Sequence, residues 1–140
     1  MDSTRRLPHI FVMAEGPGWI AIVDDDPSVL KALKRSLRVR GVQSKTYGSA
    51  QEFLATLPEG LPDCLILDLE MPGMTGLELL RDLKRKDIQV PAIVITAHGD
   101  ATVREHCESV GAVAYFSKPF RNSLLFAAIE AAIGSRRKSP

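Results

Sequence analysis

A chain of 140 residues, 45% apolar and 25% charged, has the size and make-up of one globular domain, and its 10 glycines and 9 prolines are too few for a collagen-like or low-complexity polymer. Eighteen basic against seventeen acidic residues leave a formal charge of +1, which excludes an overall field that would drive the molecule onto nucleic acid or an anionic membrane. Any charged function has to be local.

Residues 1–18 read as a leader outside the main domain. Their apolar run, Ile10 to Ala14, is far short of a membrane span and is closed by Glu15 and the Gly16-Pro17-Gly18 breaker, so neither a signal peptide nor a membrane anchor is expected. Cys64 and Cys107 form no C-x-x-C pair and cannot build a disulfide framework, which points to free thiols in a reducing cytoplasm.

From Trp19 onward, short apolar runs alternate with amphipathic stretches five times, the pattern of parallel strands joined by crossover helices. The predicted strands are Ile20 to Val23, Val42 to Tyr47, Cys64 to Leu67, Ala92 to Ile95 and Val113 to Phe116. Three of them are nearly unbroken Val, Ile and Leu, as strands buried on both faces are, so the expected class is α/β, a doubly wound five-stranded parallel sheet with helices on both sides. The first helix starts at Asp26 or Pro27, carries Val29, Leu30, Leu33 and Leu37 inward and Lys31, Lys34, Arg35 and Arg38 outward, and ends at Gly41. The second opens with Ser49-Ala50-Gln51-Glu52, an S-x-x-E capping box ahead of Phe53, Leu54 and Leu57, and stops at Pro58 and Gly60. The third spans about Thr75 to Lys86 with Leu77, Leu80 and Leu83 inward, the fourth Asp100 to Val110, and the fifth Asn122 to Ile133 before Gly134. Residues 135–140, with Arg136-Arg137-Lys138, remain as a basic tail too short for a second domain or a DNA-binding motif.

The polar residues that stand out fall where a predicted strand gives way to a loop: Asp24-Asp25-Asp26, Asp68, Thr96 and Lys118-Pro119. In an open parallel sheet, ligands bind outside the carboxyl ends of the strands, where strand order reverses. Helix capping accounts for one acid, Asp26 before Pro27. Asp24 and Asp25, facing Asp68 from a neighbouring strand, would repel it by up to about 4 kcal/mol per close pair at an effective dielectric of 20. A cation relieves that conflict. Carboxylates with a backbone carbonyl and waters suit Mg²⁺, the calcium-loop pattern is absent, and His9, His98 and His106 have no zinc spacing with the cysteines. A carboxylate beside a metal can attack phosphorus, and the Pro72-Gly73 turn after Asp68 holds that acid in the open. Lys118 offers a positive partner and Thr96 a hydroxyl for a phosphoryl oxygen, so no general base is needed. No G-x-x-x-x-G-K or G-x-G-x-x-G follows the first strand, which excludes the common nucleotide-binding loops.

Taken in order, Val23-Asp24-Asp25-Asp26, Leu67-Asp68-Leu69-Glu70-Met71-Pro72-Gly73-Met74-Thr75-Gly76, Ile95-Thr96-Ala97 and Phe116-Ser117-Lys118-Pro119-Phe120 resemble the four motif blocks of bacterial response-regulator receiver domains, over about Trp19 to Ile133. The resemblance implies a flavodoxin-like sheet in the order 2-1-3-4-5 and a domain over residues 19–134. It implies Asp68 as phosphoacceptor, Asp25 as a direct Mg²⁺ ligand, Asp24 as a second acid acting through water, the Glu70 main-chain carbonyl on the metal, and Thr96 and Lys118 on the phosphoryl group. Tyr115 takes the place of the aromatic ring that follows Thr96 inward in receivers. The altered surface would be the fourth helix, fifth strand and fifth helix, with Arg104, His106, Arg121, Leu124, Leu125 and Phe126. Glu70 and His98 would flank the path of a hydrolytic water.

The implied function is a signalling switch, phosphorylated by a sensor histidine kinase or histidine phosphotransfer protein, that binds a downstream protein or a second copy of itself. It would assist only its own phosphorylation and dephosphorylation, without binding nucleic acid or membrane directly. Two rivals remain: a receiver-like scaffold that never carries phosphate, and an aspartyl-phosphate phosphatase of the haloacid-dehalogenase type. The second has D-x-D in Asp24-Asp25-Asp26 but lacks a lid domain and leaves Asp68 unexplained.

Overall fold

The ends of an α-helix leave backbone groups without intrahelical partners, and this chain satisfies them locally at nearly every junction. The structure, a computed structural model, describes residues 18–138, so the expected leader lies outside the described residues except for Gly18. Helix α1 (Pro27–Val39) is capped by Asp26, whose Oδ1 accepts from the Ser28 N–H at 2.9 Å and the Ser28 hydroxyl at 2.7 Å. At its other end the Val42 N–H donates to the Leu37 carbonyl and the Gly41 N–H to that of Arg38, a paired closure that needs the φ of +82° at Gly41. Val42 is thereby used in the helix cap, and the second strand begins at Ser44 rather than at Val42.

Helix α2 (Ala50–Thr56) continues into a 3-10 turn at Leu57–Glu59. Ser49 caps it as the sequence predicts, but Glu52 reaches back to the Gly48 N–H at 3.2 Å instead of to that of Ser49. The reciprocal box occurs at Thr75 and Glu78, which opens α3 (Gly76–Arg85). There Leu79, Leu80 and Leu83 are buried and Leu77 only partly so, because a strict three-residue spacing drifts off the face that a 3.6-residue helix presents. Helix α4 (Ala101–Ser109) is capped by Asp100. Helix α5 (Asn122–Lys138) runs through Gly134 instead of stopping before it. A helical glycine costs only about 1 kcal/mol relative to alanine, and no proline follows until Pro140, so Ser135 and the basic Arg136-Arg137-Lys138 extend the helix rather than form a tail.

Strands β1 (Ile20–Val23), β2 (Ser44–Tyr47), β3 (Cys64–Asp68), β4 (Ala92–Thr96) and β5 (Ala112–Ser117) form one parallel sheet in the order β2-β1-β3-β4-β5. Alternate residues feed two cores. Ala21, Val23, Leu65, Leu67 and Val94 meet Phe53, Leu79 and Cys107 on one face, while Ile20, Ile22, Ile66, Ile93 and Ile95 meet Leu33, Leu37, Leu125 and Ile129 on the other. Removing β1, β3 and β4 from water on both sides is the principal apolar gain of the fold and explains their near absence of polar residues.

Register carries the polar residues to one rim. Val23 pairs with Leu67, Asp68 with Ile95, and Thr96 with Ser117, so each strand ends level with the next. The last match depends on a one-residue shift between Ala92 and Ile93, where Val113 is extra in β5 and more than half exposed. No helix among the described residues is long and apolar enough to cross a membrane.

Candidate phosphoryl and metal site

Asp24 is the next residue after β1, and Asp68 ends the adjacent β3, so the alternation that buries Ile22 and Ile66 carries both carboxylates to one face of the rim. Both are buried, while Asp25 is exposed. Carboxylate oxygens of Asp24, Asp25 and Asp68 all lie within 4.8 Å of one another. Lys118 Nζ donates to Asp24 Oδ2 at 3.1 Å and stands 3.7 Å from Asp68 Oδ1. The Asp26 N–H donates to Asp24 Oδ1 at 2.9 Å, leaving the Asp26 carboxylate for α1. Three carboxylates against one ammonium leave two negative charges, the complement of a divalent cation, and an all-oxygen donor set of this kind fits Mg²⁺.

The electrostatics single out Asp68. Burial first, then the fields of Asp24 and Asp25, push its carboxyl up to about 6 against the pull of Lys118 and a hydrogen bond from the Glu70 N–H. It is therefore chiefly ionised at neutral pH while remaining poorly neutralised. For Lys118, burial opposes the charge, but the hydrogen bond to Asp24 and the fields of Asp24, Asp68 and Asp26 outweigh it and raise the ammonium above the ordinary lysine range.

The loop after Asp68 closes tightly on its own backbone. The Gly76 N–H donates to the Leu69 carbonyl at 3.0 Å, and a Cβ at Gly76 would overlap the Asp68 carbonyl oxygen and stand 2.9 Å from Leu69 Cα. Thr96 is buried, its Oγ1 accepts from the His98 N–H at 3.3 Å, and its carbonyl accepts from the Lys118 N–H at 2.8 Å. The bond between Lys118 and Pro119 is cis.

All of Asp24, Asp25, Asp68, Thr96 and Lys118 come to the rim, as the sequence predicts. Two relationships were not legible there. Lys118 makes its shorter contact with Asp24, not Asp68. Glu70 Oε1 and His98 Nδ1 meet at 2.9 Å across the mouth of the site, each from the loop after its strand. Tyr115 is half-buried. Its hydroxyl is buried without a hydrogen-bond partner among the described residues, and a Cβ at Gly99 would overlap that hydroxyl and lie 2.9 Å from Thr96 Cγ2. The Arg104 guanidinium stands 5.8 Å from the Tyr115 ring centre. On the face formed by α4, β5 and α5, Leu125 belongs to the core, whereas Leu124 is 52% exposed.

A 2-1-3-4-5 parallel sheet whose acidic crevice lies between β1 and β3 defines the flavodoxin-like class, with its site at the topological switch point. Within it, the family model of the response regulator receiver domain matches residues 20–130. The chain is 40% identical over 121 residues to the response regulator protein TodT of Pseudomonas putida, covering 86% of this chain and 53% of that protein. It is 42% identical over 113 residues to the transcriptional regulatory protein FixJ of Rhizobium meliloti, covering 81% and 55%. The crystal structure of FixJ-N matches with a TM-score of 0.78 at 39% identity, over 85% of this chain and 95% of that one. A CheY-like receiver domain protein from Methanospirillum hungatei matches with a TM-score of 0.82 at 26% identity, over 88% and 98%. The chain belongs to the response-regulator receiver family. It spans about half the length of the curated relatives it matches.

Proposed function

We propose that this chain is a phosphorylation switch in which Asp68 accepts a phosphoryl group from a sensor histidine kinase or a histidine phosphotransfer protein. The observation that carries this reading is the placement of Asp68, the one buried acid of the cluster left without a short contact to Lys118, at the rim between Asp24, Asp25 and Lys118. A carboxylate oxygen of Asp68 attacks phosphorus as the phosphorus–nitrogen bond of the phosphohistidine breaks, and the imidazole leaves with the bonding pair. Asp24, Asp25, Asp68 and the Glu70 main-chain carbonyl would hold Mg²⁺, which when bound neutralises charge on the phosphoryl oxygens. Lys118 pairs with one such oxygen and the Thr96 hydroxyl donates to another. Drawing Thr96 toward the phosphoryl group frees space into which Tyr115, already lying over Gly99, moves further, altering the face of α4, β5 and α5 for a downstream protein or a second copy. Residues 19–134 would constitute the receiver unit, in the cytoplasm, acting as a switch rather than turning over an external substrate.

The decisive experiment incubates the chain with radiolabelled acetyl phosphate and Mg²⁺ beside Asp68→Asn. Label on the wild type alone, lost in base and in EDTA, supports the switch. An unlabelled wild type leaves the scaffold reading in its place, and turnover of an added phosphoester supports the phosphatase.

A further inference from the structure

At the opposite end of the sheet from Asp68, where β1 and β2 begin, Trp19, Lys34, Arg38, Gln43, Ser44 and Lys45 line a groove of about 430 Å³. Small-molecule sites span about 300 to 1,000 Å³, so it is large enough for a ligand. Among the described residues, no acidic one lines it. Residues 27–47, which supply most of its wall, hold six lysines and arginines and no Asp or Glu, a local excess in a chain whose formal charge is +1.

The cations are individually positioned. Lys34 Nζ donates to the Ser44 carbonyl at 2.6 Å, and Lys45 Nζ stands 4.4 Å from the centre of the Trp19 ring. Arg38 has no ion pair among the described residues. Beside them the Ser44 hydroxyl is buried and without a hydrogen-bond partner among the described residues. That hydroxyl is turned away from the groove, but three cations that meet no carboxylate among the described residues call for an acceptor that carries charge.

We infer that this groove is a binding site for a small phosphate-bearing anion of pyrophosphate or nucleoside-monophosphate size. Phosphate presents several acceptor oxygens and about two charges, which match a guanidinium fork and two ammonium groups. A carboxylate, with one charge, would leave most of these donors unneutralised. The site is distinct from the proposed phosphoacceptor: a four-residue parallel strand separates the two ends of β1 by about 13 Å.

Trp19 is the only tryptophan of the chain, so its fluorescence reports on the groove directly. The test titrates pyrophosphate, and separately adenosine monophosphate, into the full chain in EDTA, where the acidic rim stays negative and repels anions. The expected result is a saturable change with at least one probe, weakened about tenfold in Arg38→Gln and in Lys45→Gln, the size of losing one charge-assisted hydrogen bond, and weakened further by salt. Lys31→Gln, an exposed cation of α1 that does not line the groove, should leave the affinity unchanged, which a mere ionic atmosphere would not show. A linear, unsaturable response to both probes, or an affinity equal in wild type and Arg38→Gln, overturns the inference. Because both Arg38 and Lys45 are exposed, these variants leave the core intact.

Discussion

The Lys118 ammonium and the Asp24 carboxylate, 94 residues apart in the chain, meet at 3.1 Å, while Asp68 on the next strand is left at 3.7 Å. Asp24 thus takes the lysine's hydrogen bond, and Asp68 keeps the unrelieved part of the repulsion. Burial, then the field of Asp24, raise the Asp68 carboxyl, and Lys118 offsets them only in part.

Its pH dependence follows from the sign of the shift. The folded value of about 6 lies above an unfolded carboxyl near 3.9, so the folded chain binds this proton more tightly. Its stabilising contribution is complete below about pH 4, declines as pH rises toward 6, and is absent above that. In EDTA, the difference in urea stability between wild type and Asp68→Asn should therefore open between pH 4 and 6, with the variant the more stable at pH 7. A difference that stays constant with pH would show that Asp68 is not shifted.

Magnesium and the proton should compete for the same oxygen. Calorimetric Mg²⁺ affinity is expected to be nearly flat above pH 7 and to weaken by about tenfold per unit below 6, as linkage through one shared site requires.

Replacing Lys118 by methionine strands Asp24 in a buried position. A loss of about 2 kcal/mol is expected in EDTA, less than for a fully enclosed pair because the lysine side chain is 26% exposed. Mg²⁺ should restore part of it by supplying positive charge, an outcome that simple loss of packing would not produce.

Gly76→Ala places a methyl group against the backbone of Asp68 and Leu69, not against a side chain that can rotate away. About 3 kcal/mol of destabilisation is expected by chemical denaturation, with slower labelling of Asp68 because the acceptor loop itself must shift.

Tyr115→Phe removes a buried hydroxyl that has no partner among the described residues. Stability should stay unchanged or rise by up to about 1 kcal/mol, since nothing is left unpaired. Binding of a downstream protein by the phosphorylated form is the separate measurement that reads the proposed switch role.

Elements and site residues were legible in the sequence because they depend on neighbours in the chain. Apolar runs bounded by Asp, Gly and Pro define β1, β3 and β4, the Asp26-Pro27 and Thr75-Gly76 starts define their helices, and each candidate acid or base follows directly from a strand end. Where a local signal competed with an interaction across the chain, the local reading slipped. Val42 reads as strand but closes α1, Gly134 reads as a stop but lies inside α5, and Leu77 yields its place to Leu79 once α3 packs on the sheet. Tertiary structure alone decided which acid takes Lys118, that Glu70 meets His98, and that Tyr115 lies over Gly99. Those contacts depend on strand register and on the one-residue shift at Val113, which are set by packing between segments dozens of residues apart and leave no periodic trace in any one of them.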